Sequence, residues 1–320
     1  MEFFKNIWRL FTAPFMYLNF LYGARRTRKW VKKNNKLQDE THNDYDKRWK
    51  YTVKKAKIFS NALGIKTKIV NEENIPKGSY MLVSNHTSNF DVFFLLPTLG
   101  EKSPATSIAK NTLEDSTIKG YFQATEAFFV YPNNVRKSLV AFNRAGEWAK
   151  NKKRGVVIFP EGKRNWNTEL GEFHAASFKL SQRNYLPIHP ITILGTIEAR
   201  KWYKFSKRQI TLVFHKPIKA SEAMRITTDK LAERVRNTIN ESLIEFEKQF
   251  QGKELEKRNK EKARLAKKQL KFEEKLEIKI KKINDKENAK EEKLKNIKIK
   301  KLNKQTNKTK SKSKKNKKDS

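Results

Sequence analysis

The sequence contains no cysteine. Disulfide staples, thiolate metal sites and cysteine nucleophiles are therefore excluded. No stretch reaches about eighteen uninterrupted apolar residues, so no segment reads as a membrane span. There are only 5 histidines, and they form no convincing metal cluster. Glycine and proline vanish after Gly252. Acidic residues are scarce throughout: 34 Asp and Glu stand against 72 Lys and Arg, for a net charge of +38.

That charge is unevenly spread. Residues 251–320 hold 28 basic and 11 acidic side chains, which leaves 44 and 23 for the first 250. Both parts are basic in their own right. Such a field attracts nucleic acid, anionic lipid headgroups or acidic carrier proteins, and sign alone does not choose among them.

Near the N-terminus, Phe3 to Tyr22 is rich in Phe, Trp, Leu and Tyr but interrupted by Lys5, Arg9 and Pro14. A polybasic run follows, Arg25-Arg26-Thr27-Arg28-Lys29-Trp30-Val31-Lys32-Lys33. A secretory signal would place its charges before the apolar core and a small-residue cleavage site after it, and neither fits. Aromatics beside a polybasic stretch fit an interfacial anchor on an anionic membrane. A core helix with a solvated basic face is the alternative.

Residues 34–45 are polar and read as a linker. From Asp46 to Leu63, apolar residues Trp49, Val53, Ala56, Phe59 and Leu63 recur at helical spacing. Strand-like runs follow at Thr67–Val70, Tyr80–Ser84, Thr106–Ala109, Ala127–Tyr131, Val156–Phe159, Ile191–Leu194 and Ile210–Phe214. Helix-like stretches lie at Phe90–Leu99, Val135–Asn151, Glu172–Arg183 and Thr228–Phe250. This alternation predicts an α/β fold with a mixed central sheet flanked by helices. The implied organisation is an N-terminal helical element over 1–63, an α/β domain over 64–252 and a Lys-rich tail over 253–320. In the tail, 255–298 reads as an exposed charged helix and 299–320 as disordered, with too few apolar residues for a core. A purely solvating role for the tail is as compatible with its composition as a binding one.

Two short strings carry the chemistry. In Asn85-His86-Thr87-Ser88-Asn89-Phe90-Asp91, the histidine emerges at the C-terminal end of a buried strand, where α/β folds place their sites. Thr87, Ser88 or Asn89 can cap the helix that follows. Asp91, in its first turn, can accept a hydrogen bond from one imidazole nitrogen and leave the other as a general base for an alcohol. In Phe159-Pro160-Glu161-Gly162-Lys163-Arg164, Pro160 ends a second strand and Gly162 turns the chain. Lys163 and Arg164 can then hold a phosphate, with Glu161 orienting the cations or the backbone. A charged surface turn is the alternative reading of this string. His189, between Pro187 and Pro190, and His215 read as structural.

In this order, the two strings resemble the glycerophospholipid acyltransferase family, most closely its bacterial 1-acyl-sn-glycerol-3-phosphate acyltransferases. The family's Asn-His-x4-Asp block is matched by Asn85, His86 and Asp91. Its Phe-Pro-Glu-Gly-Thr-Arg-Ser block is matched at Phe159, Pro160, Glu161, Gly162 and Arg164, while Lys163 and Asn165 depart. Ile108-Ala109-Lys110 is similar to the segment before the family's middle helix, and Leu186-Pro187-Ile188-His189-Pro190-Ile191 to its last block. The likeness spans roughly residues 49–215. One block differs: Glu126 stands for the usual glycine and Pro132 for an arginine that holds glycerol phosphate, a role left to Arg136 or Lys137. The usual Phe-x-x-Gly is altered to Phe173-His174-Ala175-Ala176.

The resemblance implies direct acyl transfer from acyl-CoA or acyl carrier protein to the sn-2 hydroxyl of lysophosphatidic acid, giving phosphatidic acid. His86 would be the base and Asp91 its orienting partner, with Glu161, Gly162, Lys163, Arg164 and Arg136 at the substrate. It also implies an N-terminal two-helix element dipping into one leaflet at the cytoplasmic face of the cell membrane, and no cofactor. A different acceptor, glycerol 3-phosphate or another lysolipid, keeps the same chemistry. A basic membrane- or nucleic-acid-binding protein without catalysis is the reading from another class.

Overall fold

The computed structural model describes residues 2–36, 43–88, 91–132, 134–167, 169–196, 208–275 and 277–278. Two long helices come first, α1 (Glu2–Lys36) and α2 (Asn43–Ala62). Each reaches into the polar 34–45 stretch expected to be a linker, and α1 passes Pro14 without ending. The strands are β1 (Ile65–Val70), β2 (Tyr80–Ser84), β3 (Ala105–Lys110), β4 (Phe128–Val130), β5 (Gly155–Ile158), β6 (Ile188–Leu194) and β7 (Arg208–Phe214). The remaining helices are α3 (Asp91–Leu99), α4 (Lys119–Ala124), α5 (Val135–Lys152), α6 (Lys179–Asn184), α7 (Ala220–Ala223) and α8 (Thr228–Lys248). Residues Glu172–His174, expected to open a helix, instead lead into a 3-10 turn at Ala175–Phe178 that precedes α6.

The strands form one sheet in the order β1-β7-β6-β2-β5-β3-β4. Every pairing is parallel except β6 with β7. The β2, β3, β4 and β5 chains therefore all leave the sheet at one edge. β2 and β5 are adjacent, with Val83 opposite Ile158, so the loops carrying the two strings start side by side.

Alternation along β2 splits the core in two. Tyr80 and Leu82 face a layer containing Phe20, Trp49, Phe59, Phe93 and Tyr121 from α1–α4. Met81 and Val83 face Ala145, Phe178, Leu231 and Val235 from the opposite layer. A sheet buried on both faces explains why β2 reads as an uninterrupted apolar run.

α1 is bound closely to α4. A Cβ on Gly120 would lie 1.8 Å from the Ala24 carbonyl oxygen, so the helices meet at a distance only glycine permits. The Tyr121 hydroxyl donates to the Phe20 carbonyl at 2.6 Å. Phe20 stacks on Phe59 at 4.5 Å and meets Phe93 edge-on at 5.0 Å. The outward side of α1 leaves Phe15, Leu18 and Tyr22 exposed.

α2 is joined to the far side of the sheet through Glu126. This residue has φ 53, the left-handed region that favours glycine. Its carboxylate accepts from Arg48 Nη2 at 2.8 Å and Trp148 Nε1 at 2.7 Å. Arg48 also donates to the Gln123 and Ala124 carbonyls, satisfying the C-terminal end of α4. The glutamate in the glycine position thus has a structural task.

Compact units are Met1–Lys262 and Ala263–Ser320. Within the first, residues 252–262 are helical after a turn at Gly252 with φ 51. Arg258 there is buried, paired with both carboxylate oxygens of Glu247 at 2.8 and 2.9 Å and stacked 4.2 Å over Phe250. Residues 255–260, expected to begin an exposed charged helix, are helical and exposed apart from Arg258. In the second unit, 263–275 and 277–278 are helical, and 279–320 lies outside the described residues. Among the described residues no helix is long and apolar enough to cross a membrane.

Candidate active site

Asn85 and His86 leave the end of β2. Asn85 acts as one more strand residue: its Nδ2 donates to the Ile193 carbonyl at 3.0 Å and its Oδ1 accepts from Ile193 N–H at 2.8 Å. This clamp to β6 fixes where the next residue points. His86 Nδ1 lies 2.8 Å from Asp91 Oδ2. The same carboxylate oxygen accepts from the backbone N–H groups of Thr87 and Ser88 at 2.8 and 2.9 Å. Asp91 is 0% exposed, so the histidine–carboxylate contact is sheltered from water. In the neutral tautomer that donates from Nδ1 to Asp91, Nε2 carries the lone pair. Phe159 stacks on the ring at 4.3 Å and 25°, holding its plane.

The β5 loop supports the same histidine from the other side. Glu161 is buried, and its Oε1 accepts from the His86 backbone N–H at 2.6 Å. Its Oε2 accepts from Gly171 N–H at 2.9 Å and from the Asn165 side-chain amide. The Asn165 backbone N–H in turn donates to the His86 carbonyl at 2.8 Å. His86 is thus tied through its ring, its N–H and its C=O. Burial raises the Glu161 carboxyl above its ordinary range, and the bonds from Gly171, His86 and Asn165 offset this only in part.

Gly162 turns the loop with φ 64, and the His174 ring lies against it, with Nε2 3.1 Å from where a Cβ would be. Lys163 is exposed, Arg164 is half-buried, and the Arg164 guanidinium sits 5.8 Å over the Trp166 ring. Arg136 is exposed in the first turn of α5, beyond β4 and two strands from β5. The structure thus brings His86, Asp91, Glu161 and Gly162 into one connected cluster, sets Lys163 and Arg164 on its rim and leaves Arg136 further along the same edge.

The residues of this cluster lie in a stretch that is similar to known proteins. Residues 66–194 match the family model described as Acyltransferase. This part of the chain is an acyltransferase domain. The chain is 27% identical over 213 residues to a Mycoplasma pneumoniae protein named "Probable 1-acyl-sn-glycerol-3-phosphate acyltransferase", covering 62% of this chain and 79% of that one. It is 30% identical over 196 residues to the 1-acyl-sn-glycerol-3-phosphate acyltransferase of Saccharomyces cerevisiae, covering 59% and 63%. Its fold is similar to the crystal structure of the 1-acyl-sn-glycerophosphate (LPA) acyltransferase PlsC from Thermotoga maritima. The TM-score is 0.59 at 21% identity, over 79% of this chain and 100% of that one.

Two other histidines of the chain are structural in their surroundings. His189 meets Tyr80 edge-on at 5.9 Å, and His215 Nε2 lies 2.8 Å from Thr192 Oγ1. Burial lowers both pKa values and so favours the neutral ring in each. Sequence reasoning gave no role to Lys110 or His174. Lys110 closes β3, immediately beside β5 and at the same edge. A cation ending a parallel strand was a usable signal. The contact of His174 with Gly162 spans an irregular segment and left no periodic trace.

Proposed function

We propose that this acyltransferase transfers an acyl group from a thioester to the sn-2 hydroxyl of 1-acyl-sn-glycerol 3-phosphate, giving phosphatidic acid in phospholipid biosynthesis. The observation that carries this reading is the His86–Asp91 pair, joined at Nδ1 with Nε2 left for an incoming hydroxyl. As the alcohol oxygen attacks the thioester carbonyl, Nε2 takes its proton. The resulting imidazolium is stabilised by the buried Asp91 carboxylate. Collapse of the tetrahedral intermediate breaks the C–S bond, and the departing sulfur receives the proton back from Nε2. Arg164 and Lys163, with Arg136 further along the edge, supply charge for the acceptor phosphate. Gly162 gives the loop its turn, and Glu161 holds His86 in register.

The acyl donor is acyl-CoA or acyl carrier protein, and the basic surface suits either. The exposed Phe15, Leu18 and Tyr22 of α1, followed by Arg25, Arg26, Arg28 and Lys29, support contact with an anionic membrane from the cytoplasmic face. The test is product formation from lysophosphatidic acid and an acyl thioester by the purified chain and by His86→Ala. The variant should lose about 10²–10⁴-fold in kcat. Equal yield from both would remove His86 from the mechanism, and no product from the unaltered chain would overturn the activity.

A further inference from the structure

α5 starts at the sheet edge that carries His86, because β4, which leads into it, runs parallel to β3 and so in the same direction as β5 and β2. Its inner stripe, Phe142, Ala145 and Ala149, packs on the core. Followed backwards in helical steps, that stripe continues through Leu139 to Val135. There it runs out of partners: Leu139 is 46% exposed and Val135 81%, with Val140 beside them at 51%. The helix end itself is well formed. Asn134 caps it by accepting from Lys137 N–H at 2.9 Å, and Ser138 Oγ bonds both the N–H and the C=O of Tyr131.

The charges in this turn also run against local preference. A helix N-terminus favours acidic residues, yet the first turn of α5 has none and carries exposed Arg136 and Lys137. Apolar side chains left in water beside cations at a helix start suit a surface with an apolar interior and anionic headgroups. If the acceptor is a bilayer lipid, as the proposed function requires, this edge must approach the bilayer.

We propose that the first two turns of α5 are a lipid-contacting rim, in which Val135 and Leu139 enter the apolar boundary of an anionic bilayer while Arg136 and Lys137 meet its headgroups. The rim belongs to a different helix from the exposed Phe15, Leu18 and Tyr22 of α1 and presents the catalytic edge to the lipid.

The absence of cysteine makes a direct test available. Single cysteines at Val135, Leu139 and, as a control on the same helix, Glu147 would each carry an environment-sensitive dye on the full chain. With vesicles of phosphatidylglycerol and phosphatidylcholine, emission at positions 135 and 139 should rise about twofold or more and shift to the blue, with no change at 147. Flat emission at 135 and 139 while the protein sediments with the vesicles would overturn the rim. So would a response to an acidic acyl carrier protein without vesicles. In parallel, a Val135→Ser/Leu139→Ser chain should raise the ratio of KM for vesicle-borne over short-chain soluble lysophosphatidic acid about tenfold; an unchanged ratio overturns the rim. Inactivity of the unaltered chain on both acceptors would instead defeat the proposed reaction, which the dye measurement does not depend on.

Discussion

Asp91 opens α3 and Glu161 lies in the loop after β5, one five residues past His86 and the other seventy-five. Both are buried and both bond the same histidine. Asp91 touches the imidazole, so its charge is felt where a proton would be gained. Glu161 touches the backbone of His86, so it fixes position and leaves the ring electronics to Asp91. Their bonding follows the division: Asp91 gathers local donors from Thr87 and Ser88, whereas Glu161 joins His86 to Asn165 and Gly171 across the loop. A buried acid near a reactive group is therefore not enough to assign its role; the atom it bonds decides.

The largest effect that would break this comparison is expected from Asp91→Asn. Removing the charge while keeping the shape should lower kcat about 10²–10³-fold, read in the acyl-transfer assay, with a small change in unfolding midpoint. A variant that keeps its kcat would show that His86 needs no carboxylate. Glu161→Gln should behave in the opposite sense. Its amide must turn an N–H₂ toward either His86 N–H or the Gly171 and Asn165 donors, costing about 1–3 kcal/mol in urea unfolding. Its kcat should fall less than that of Asp91→Asn; a larger fall without loss of stability would exchange the two roles.

Glu161 also predicts a pH effect. Its folded pKa is raised by burial, so the folded state holds its proton at a pH where the unfolded chain has released it. Relative to Glu161→Gln, the unaltered chain should lose stability as pH rises from near 4.5 through the raised value, and no further above it. An equal urea midpoint difference at both ends of that window would contradict it.

A third carboxylate sharpens the distinction with the smallest effect. Glu126 bonds Arg48 and Trp148 from a left-handed backbone. Both Glu126→Ala and Glu126→Gly lose those bonds, but glycine relieves the backbone. The glycine variant should be the more stable of the two by about 1 kcal/mol in thermal unfolding. Equal stabilities would mean that the backbone there carries no strain.

Much of this was legible in the sequence where a signal repeats or is local. Tyr80–Ser84 is a strand with the bounds its apolar run suggests, and the five-residue spacing of His86 and Asp91 already implied their contact. The strand alternation gave the α/β class because each buried run is bracketed by polar turns. What the sequence did not show depends on distant partners. Nothing near Glu161 announces that its acceptors serve His86, and the tie between Asn85 and Ile193 spans 108 positions. Arg258 reads as one more tail cation until Glu247 and Phe250 are placed around it. In the sequence Glu126 is only a departure from the usual glycine; its bonds to Arg48 and Trp148 appear when those distant residues are placed beside it.

The contact between Gly120 and Ala24 has a consequence for how this chain can vary. A backbone seam that admits no Cβ couples α1 to the helix entering the β4 edge, so neither surface can drift alone. The N-terminal helix is accordingly not a detachable handle. A chimera that exchanged it for a foreign anchor would leave Tyr121 and Phe93 facing an ill-fitting neighbour, and the graft would succeed only if residues 119–124 travelled with it.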